Sequence, residues 1–150
     1  MAARNPSPTE FESERSLRVT LRYMLDTDSV SYALRGHGRV GERVLSHRPS
    51  ELCVSAITVA ELRYGADKRG SRKLHKLIDK FIADVVPQTI DEEAASRYGK
   101  LMAELEARGT PIGQFDAMIA AHALALKLVL VTNNTKHFDR VLGLRCENWV

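Results

Sequence analysis

From residue 21 onward, short apolar runs alternate with segments in which apolar residues recur every three or four positions. The apolar runs read as strands: Leu21–Leu25, Glu51–Ser55, Val85–Pro87, Leu128–Thr132 and a weaker Leu144–Trp149. Pro87 cannot donate to a ladder, so its strand belongs at an edge or an end. The periodic segments read as helices. Thr27 to Leu34 ends at Gly36, and Arg39 to His47 precedes Pro49. Ala56 to Lys68 follows the second strand. Ser71 to Val85 carries Leu74, Leu77, Ile78, Phe81 and Ile82 as one stripe. Thr89 with Glu92 matches a capping box, opening a helix that stops at Gly109. Pro111-Ile112-Gly113 is a turn before a helix from Gln114 to Leu126. Strands that are apolar throughout, separated by helices, imply an α/β fold whose parallel sheet is covered on both faces.

Residues 1–20 break this pattern. They are rich in Ser, Pro, Glu and Arg, and read as a disordered or loose tail ahead of one domain over 21–150. Met24 is an alternative start of translation. A chain of 150 residues, 44% hydrophobic and 27% charged, is that of an ordinary soluble domain with a core of its own. No apolar run approaches the roughly 20 residues of a membrane helix, and the first residues lack the apolar segment of a secretory signal. Cys53 and Cys146 lie in separate apolar runs and read as buried free thiols. These features together predict a cytoplasmic protein. The net charge is only +3, but seven Lys and Arg against two Asp between Arg63 and Lys80 give that stretch a balance of +5. Such a stretch suits nucleic acid, or is simply a solvated helix face.

In a parallel sheet covered by helices, ligands bind beyond the carboxyl ends of the strands. That rule singles out a few polar residues. Asp26 directly follows Tyr23-Met24-Leu25. It could cap the next helix, but Thr27 and Asp28 could do so equally well. Glu61 lies early in the helix after the second strand, where its charge also suits the helix dipole. Asp116 opens an almost wholly apolar helix and is expected to be buried. Thr132-Asn133-Asn134 closes the clearest strand. Each has a structural reading, as cap or turn, but all fall at or just after a strand's carboxyl end. Crowded carboxylates repel unless a divalent cation sits among them. Hard oxygen donors favour magnesium or manganese, and phosphodiester hydrolysis is the chemistry such a site suits.

Five segments carry a resemblance. Met24-Leu-Asp-Thr-Asp28, Thr58-Val-Ala-Glu-Leu-Arg-Tyr-Gly65, Ile112-Gly-Gln-Phe-Asp-Ala-Met-Ile-Ala-Ala121 and Leu130-Val-Thr-Asn-Asn-Thr-Lys-His-Phe138 resemble, in order, the motifs of PIN-domain nucleases. The closing Val141-Leu-Gly-Leu-Arg-Cys-Glu-Asn-Trp149 resembles the ending of the VapC toxins of bacterial toxin–antitoxin pairs. The resemblance spans about residues 22 to 150. It implies a three-layer α/β/α fold with a central parallel sheet and RNA cleavage dependent on Mg2+ or Mn2+. It matches the family's three acids, its metal ligands, to Asp26, Glu61 and Asp116. Its fourth polar position, often Asp, matches Asn134, an amide that would hold a second metal more weakly. Asp28, where the family often has Asn, and Asp139 are further candidates. The resemblance also implies a homodimer and a cognate VapB antitoxin whose C-terminal segment blocks the site.

Two other readings compete. Asp26-Thr-Asp28-Ser-Val30 with Leu130-Val-Thr-Asn-Asn134 resembles the first two motifs of haloacid-dehalogenase-like phosphatases. That family then needs a lysine and an acidic pair, and the 16 residues after Asn134 hold Lys136 and the single Asp139 but no acidic pair. A non-catalytic module, receiver-like or an inactive PIN scaffold, is the other. A receiver usually has an acidic pair after its first strand and a lysine after its last. Here the first strand has basic Arg18 and Arg22 before its apolar Tyr23-Met24-Leu25, and Leu144–Val150 contains no lysine. An inactive scaffold is expected to lose one of the three acids, and all three are present.

Overall fold

The computed structural model describes residues 20–150, so the expectation for the tail lies almost wholly outside the described residues. Five parallel strands form one sheet in the order β3-β2-β1-β4-β5: β1 Tyr23–Leu25, β2 Leu52–Ser55, β3 Val86–Gln88, β4 Val129–Val131 and β5 Cys146–Glu147. Among the described residues, the α-helices that connect and cover them are α1 Thr27–Arg35, α2 Val40–Leu45, α3 Ala56–Lys68, α4 Arg72–Asp84, α5 Glu92–Ala107, α6 Gln114–Leu126 and α7 Thr135–Phe138. Strand β3 is an edge strand, as Pro87 requires.

The apolar strands are explained by the two cores they serve. Met24, Cys53 and Leu130 point to one face and pack with Leu101, Leu105, Ile119 and Phe138 from α5, α6 and α7. Tyr23, Leu25, Leu52, Val54 and Val131 point to the other and pack with Val30, Val40, Leu62 and Ile78 from α1 to α4. The period of two along each strand thus feeds a core on either side, giving the three-layer α/β/α architecture. A strand set buried on both faces has no polar side to show, which is why alternation was absent from the sequence.

Several boundaries differ from the sequence reading, each for a local reason. The helix after β3 is capped by Asp91, whose carboxylate accepts from Ala94 N at 2.9 Å, and not by Thr89. The final strand shortens to two residues because Trp149 turns into the core, where it meets Tyr23 edge-on and stacks on His47. Helix α7, four residues long, was not foreseen. The expected strand over Leu21–Leu25 shortens to Tyr23–Leu25, yet Arg22 still joins the sheet through Glu51 O and Val129 N. A chain starting at Met24 would lack Arg22 and the strand residue Tyr23. Both cysteines are free. Cys53 is buried but Cys146 only partly so; burial pushes their thiols up to about 12 and about 11. Among the described residues no helix is long and apolar enough to cross a membrane.

The chain runs outward from β1 through β2 to β3, then returns to place β4 on the other side of β1. Connections therefore diverge at the carboxyl ends of β1 and β4, and that divergence opens a crevice.

Candidate active site

Asp26 stands at this switch point. Its backbone N–H continues the ladder to Val131 O at 3.0 Å, fixing it between β1 and β4. Its carboxylate accepts from Ser29 N at 2.8 Å and so caps α1. The expectation that Asp26 was spare for capping is corrected: it caps the helix and faces the crevice together. At its far end α1 closes on Gly36, whose φ of +67° suits a residue without Cβ. Asp26 is only 5% exposed. Burial pushes its carboxyl up to about 6, against the opposing pull of the Thr132 hydroxyl and Ser29 N–H, with Asp28 raising it further.

Glu61 sits on α3. That helix is capped by Ser55, whose hydroxyl accepts from Ile57 N at 3.2 Å and meets Nδ1 of the buried His122 on α6 at 2.9 Å. This contact ties the helix bearing Glu61 to the helix bearing Asp116. The Thr27 hydroxyl donates to Glu61 Oε1 at 2.7 Å. Burial raises the Glu61 carboxyl above its ordinary range, and the charges of Asp116 and Asp28 add to that, while Thr27 opposes it.

Asp116 lies in the first turn of α6. The helix opens on Gly113, at φ +88° and ψ 155°, a conformation nearly confined to glycine. Asp116 makes no capping bond, and its side chain is 40% exposed, not buried as the apolar helix suggested. The apolar residues after it face the core while Asp116 faces the crevice. Its Oδ2 instead accepts from His137 Nε2 at 3.0 Å. Burial raises this carboxyl too, His137 opposes that, and Asp28 adds to it.

Glu61 thus feels the charge of Asp116, and the charge of Asp28 is felt by Asp26, Glu61 and Asp116 alike. Asn134 is at the rim, exposed, at the start of α7; its N–H donates to Thr132 Oγ1 at 3.0 Å and its side chain caps nothing. Asp139 is exposed at the far end of α7. Thr27 and His137 were not singled out as site residues, whereas Thr132 was, as part of the polar end of β4. Thr27 and Thr132 hold Glu61 and Asp26, and His137 holds Asp116. The threonines and His137 all lie inside the motif segments, but their partners are distant in sequence. A cleft beside the acids is lined by Thr27, Asp28, Glu61, Arg35 and Arg69, so cations border it.

The fold, the switch-point acids and their order along the chain define a class. The PIN domain model matches residues 23–144, and the chain belongs to that family. Its relatives include the tRNA(fMet)-specific endonuclease VapC of Shigella flexneri, 36% identical, covering 86% of this chain and 98% of the relative. Ribonuclease VapC2 of Haemophilus influenzae is 39% identical, covering 87% and 99%. Among solved structures, DNA-bound VapBC from Salmonella typhimurium matches with a TM-score of 0.82 at 37% identity, covering 87% of this chain and 99% of that one.

Proposed function

We propose that this chain is the toxin of a type II toxin–antitoxin pair, a metal-dependent endoribonuclease acting in the cytoplasm. The observation that supports it is that Asp26, at the switch point of a PIN sheet, and Glu61 and Asp116, on the helices beside it, all feel the charge of Asp28. The donor set fits Mg2+ or Mn2+: all three acids offer oxygen, and burial and the nearby charge of Asp28 oppose their ionisation without a cation. Among the described residues no three His, Cys, Asp or Glu side chains stand close enough together to hold an ion, so binding would require the carboxylates to move toward one another. Asp26, Glu61 and Asp116 would hold the ion, with Asn134 a neutral fourth position. When bound, the ion supplies positive charge to a phosphoryl group and acidifies water. The chain's own residues do the rest. Thr27, Thr132 and His137 orient the carboxylates, and Arg35 and Arg69 stand where phosphates flanking the scissile bond would pass. A cognate VapB-type antitoxin covers the site, and the toxin works as a homodimer.

Water as the nucleophile leaves a 5′-phosphate and a 3′-hydroxyl. Sequencing 5′-phosphate ends in total RNA shortly after induction, with and without the neighbouring antitoxin, tests this. Discrete new ends that vanish with the antitoxin or with Asp116→Asn are expected. Asn keeps the size of the side chain and removes one charge. A 2′,3′-cyclic phosphate would mean attack by the ribose, and an active Asp116→Asn protein would remove Asp116 from the site.

A further inference from the structure

We infer that His137 is a positioning residue for Asp116, which it holds so that one carboxylate oxygen is left for the cation; this rests on the nuclease reading above. His137 Nε2 lies 2.8 Å from Ile112 O and 3.0 Å from Asp116 Oδ2. Both partners are acceptors, so Nε2 carries the proton and donates to both. The ring is itself fixed. It packs edge-on against Phe138, which is buried in the core, and His137 N donates to Asn134 O at 3.1 Å within α7. One imidazole N–H thus ties α7 to the turn before α6 and to the acid in the first turn of α6. Only Oδ2 of Asp116 is engaged; among the described residues Oδ1 has no hydrogen bond. Glu61 repeats the arrangement, with Oε1 held by Thr27. Asp116 is 40% exposed and makes no capping bond, so without His137 its carboxylate would be free to turn toward solvent. An outer donor that orients a ligating carboxylate is commonly worth ~10–100-fold in metal affinity.

The test is Mn2+ binding by the full-length chain without RNA, read by the loss of the free-ion paramagnetic resonance signal. His137→Ala removes the donor. His137→Gln places an amide N–H close to the position of Nε2. Melting temperature and circular dichroism are followed in parallel. The expected result is Mn2+ affinity roughly ten-fold or more weaker in His137→Ala and near wild type in His137→Gln. Wild-type affinity in His137→Ala overturns the inference. So does equal loss in both variants, which would make the imidazole itself the ligand or a purely structural wedge. If His137→Ala does not fold, His137→Gln decides alone, and loss of binding in the folded Gln variant overturns the inference. Wild-type protein that binds no Mn2+ removes the metal reading itself, and the inference with it, an outcome distinct from a defect confined to the variants.

Discussion

Asp26 does two things that pull against each other. Its carboxylate caps α1 and it stands buried at the crevice with Asp28 near by. In the metal-free chain the fold favours its protonated form, since the carboxyl titrates at about 6 instead of 3.8. The stability this brings is complete below about 3.8 and is lost as pH rises through about 6. Glu61 and Asp116 are raised in the same direction, so all three acids make the metal-free protein less stable at neutral pH. Asp26→Asn keeps the cap, because Asn serves there about as well as Asp, and removes the charge. We expect it to raise stability at pH 7 by on the order of 2 kcal/mol and to flatten the pH dependence of melting between pH 4 and 7. Mn2+ should raise the melting temperature of wild type and leave that of the variant nearly unmoved. Calorimetric scans at several pH values check this. A variant that melts lower than wild type at pH 7 would mean that the Asp26 charge is already well solvated or paired.

At the scale of elements, the α3–α4 hairpin carries the basic stretch, and the structure divides it. Arg63 pairs with Asp79 and meets His75, while His75 pairs with Asp67, so Arg63 is spent in holding the two helices together. Lys68, Arg69, Arg72, Lys73, Lys76 and Lys80 remain exposed, and Arg69 borders the cleft beside Glu61. Replacing Arg69, Arg72 and Lys73 with Ala should weaken RNA binding. It should also flatten the slope of log affinity against log salt by up to about 2, at roughly 0.7 per phosphate contact on single strands. Binding titrations across a salt series measure both. An unchanged slope would make the hairpin a solvated face. The hairpin was legible in the sequence because its apolar stripe is long and regular. The place of Asp26 was legible too, since the strand-end rule needs only a strand and its last residue; Glu61 and Asp116 lie within helices and were singled out chiefly by the family resemblance. What was not legible depended on contacts across the chain. Helix α7 is too short to show a period. His137 finds its partners 21 and 25 residues away. The burial of Trp149 depends on Tyr23 and His47, at the other end of the sequence. The cap at Asp91 beat Thr89 by a local choice between two good caps, which pattern alone does not rank.

At the scale of the whole molecule, one apolar face is left uncovered beside the acids. Tyr64 on α3 is 68% exposed and Phe115 at the start of α6 is 55% exposed. They flank a groove whose floor is Ile57 and Ala60 and whose margin is Thr27 and Glu61. Neither aromatic belongs to the two cores, so their exposure is not forced by the packing of the sheet. Two large rings over an apolar floor suit a contact that excludes water. A two-fold contact needs one patch that complements itself, and a groove flanked by protruding rings offers both a knob and a hole. For the proposed homodimer this is the face we expect to be shared, and sharing it would set the two acidic crevices side by side. Tyr64→Lys with Phe115→Ser should therefore convert a dimer to a monomer in sedimentation velocity. Both positions are exposed, so the melting temperature of the isolated subunit should change little. The hydrogen bonds that hold the carboxylates of Asp26, Glu61 and Asp116 come from Ser29, Thr132, Thr27 and His137 and not from either aromatic, so Mn2+ binding should persist in the monomer. A double variant that still sediments as a dimer would place the interface elsewhere. A wild-type chain that is monomeric at all concentrations would leave this face to the antitoxin or to RNA, and the same variant would then lose binding to one of them.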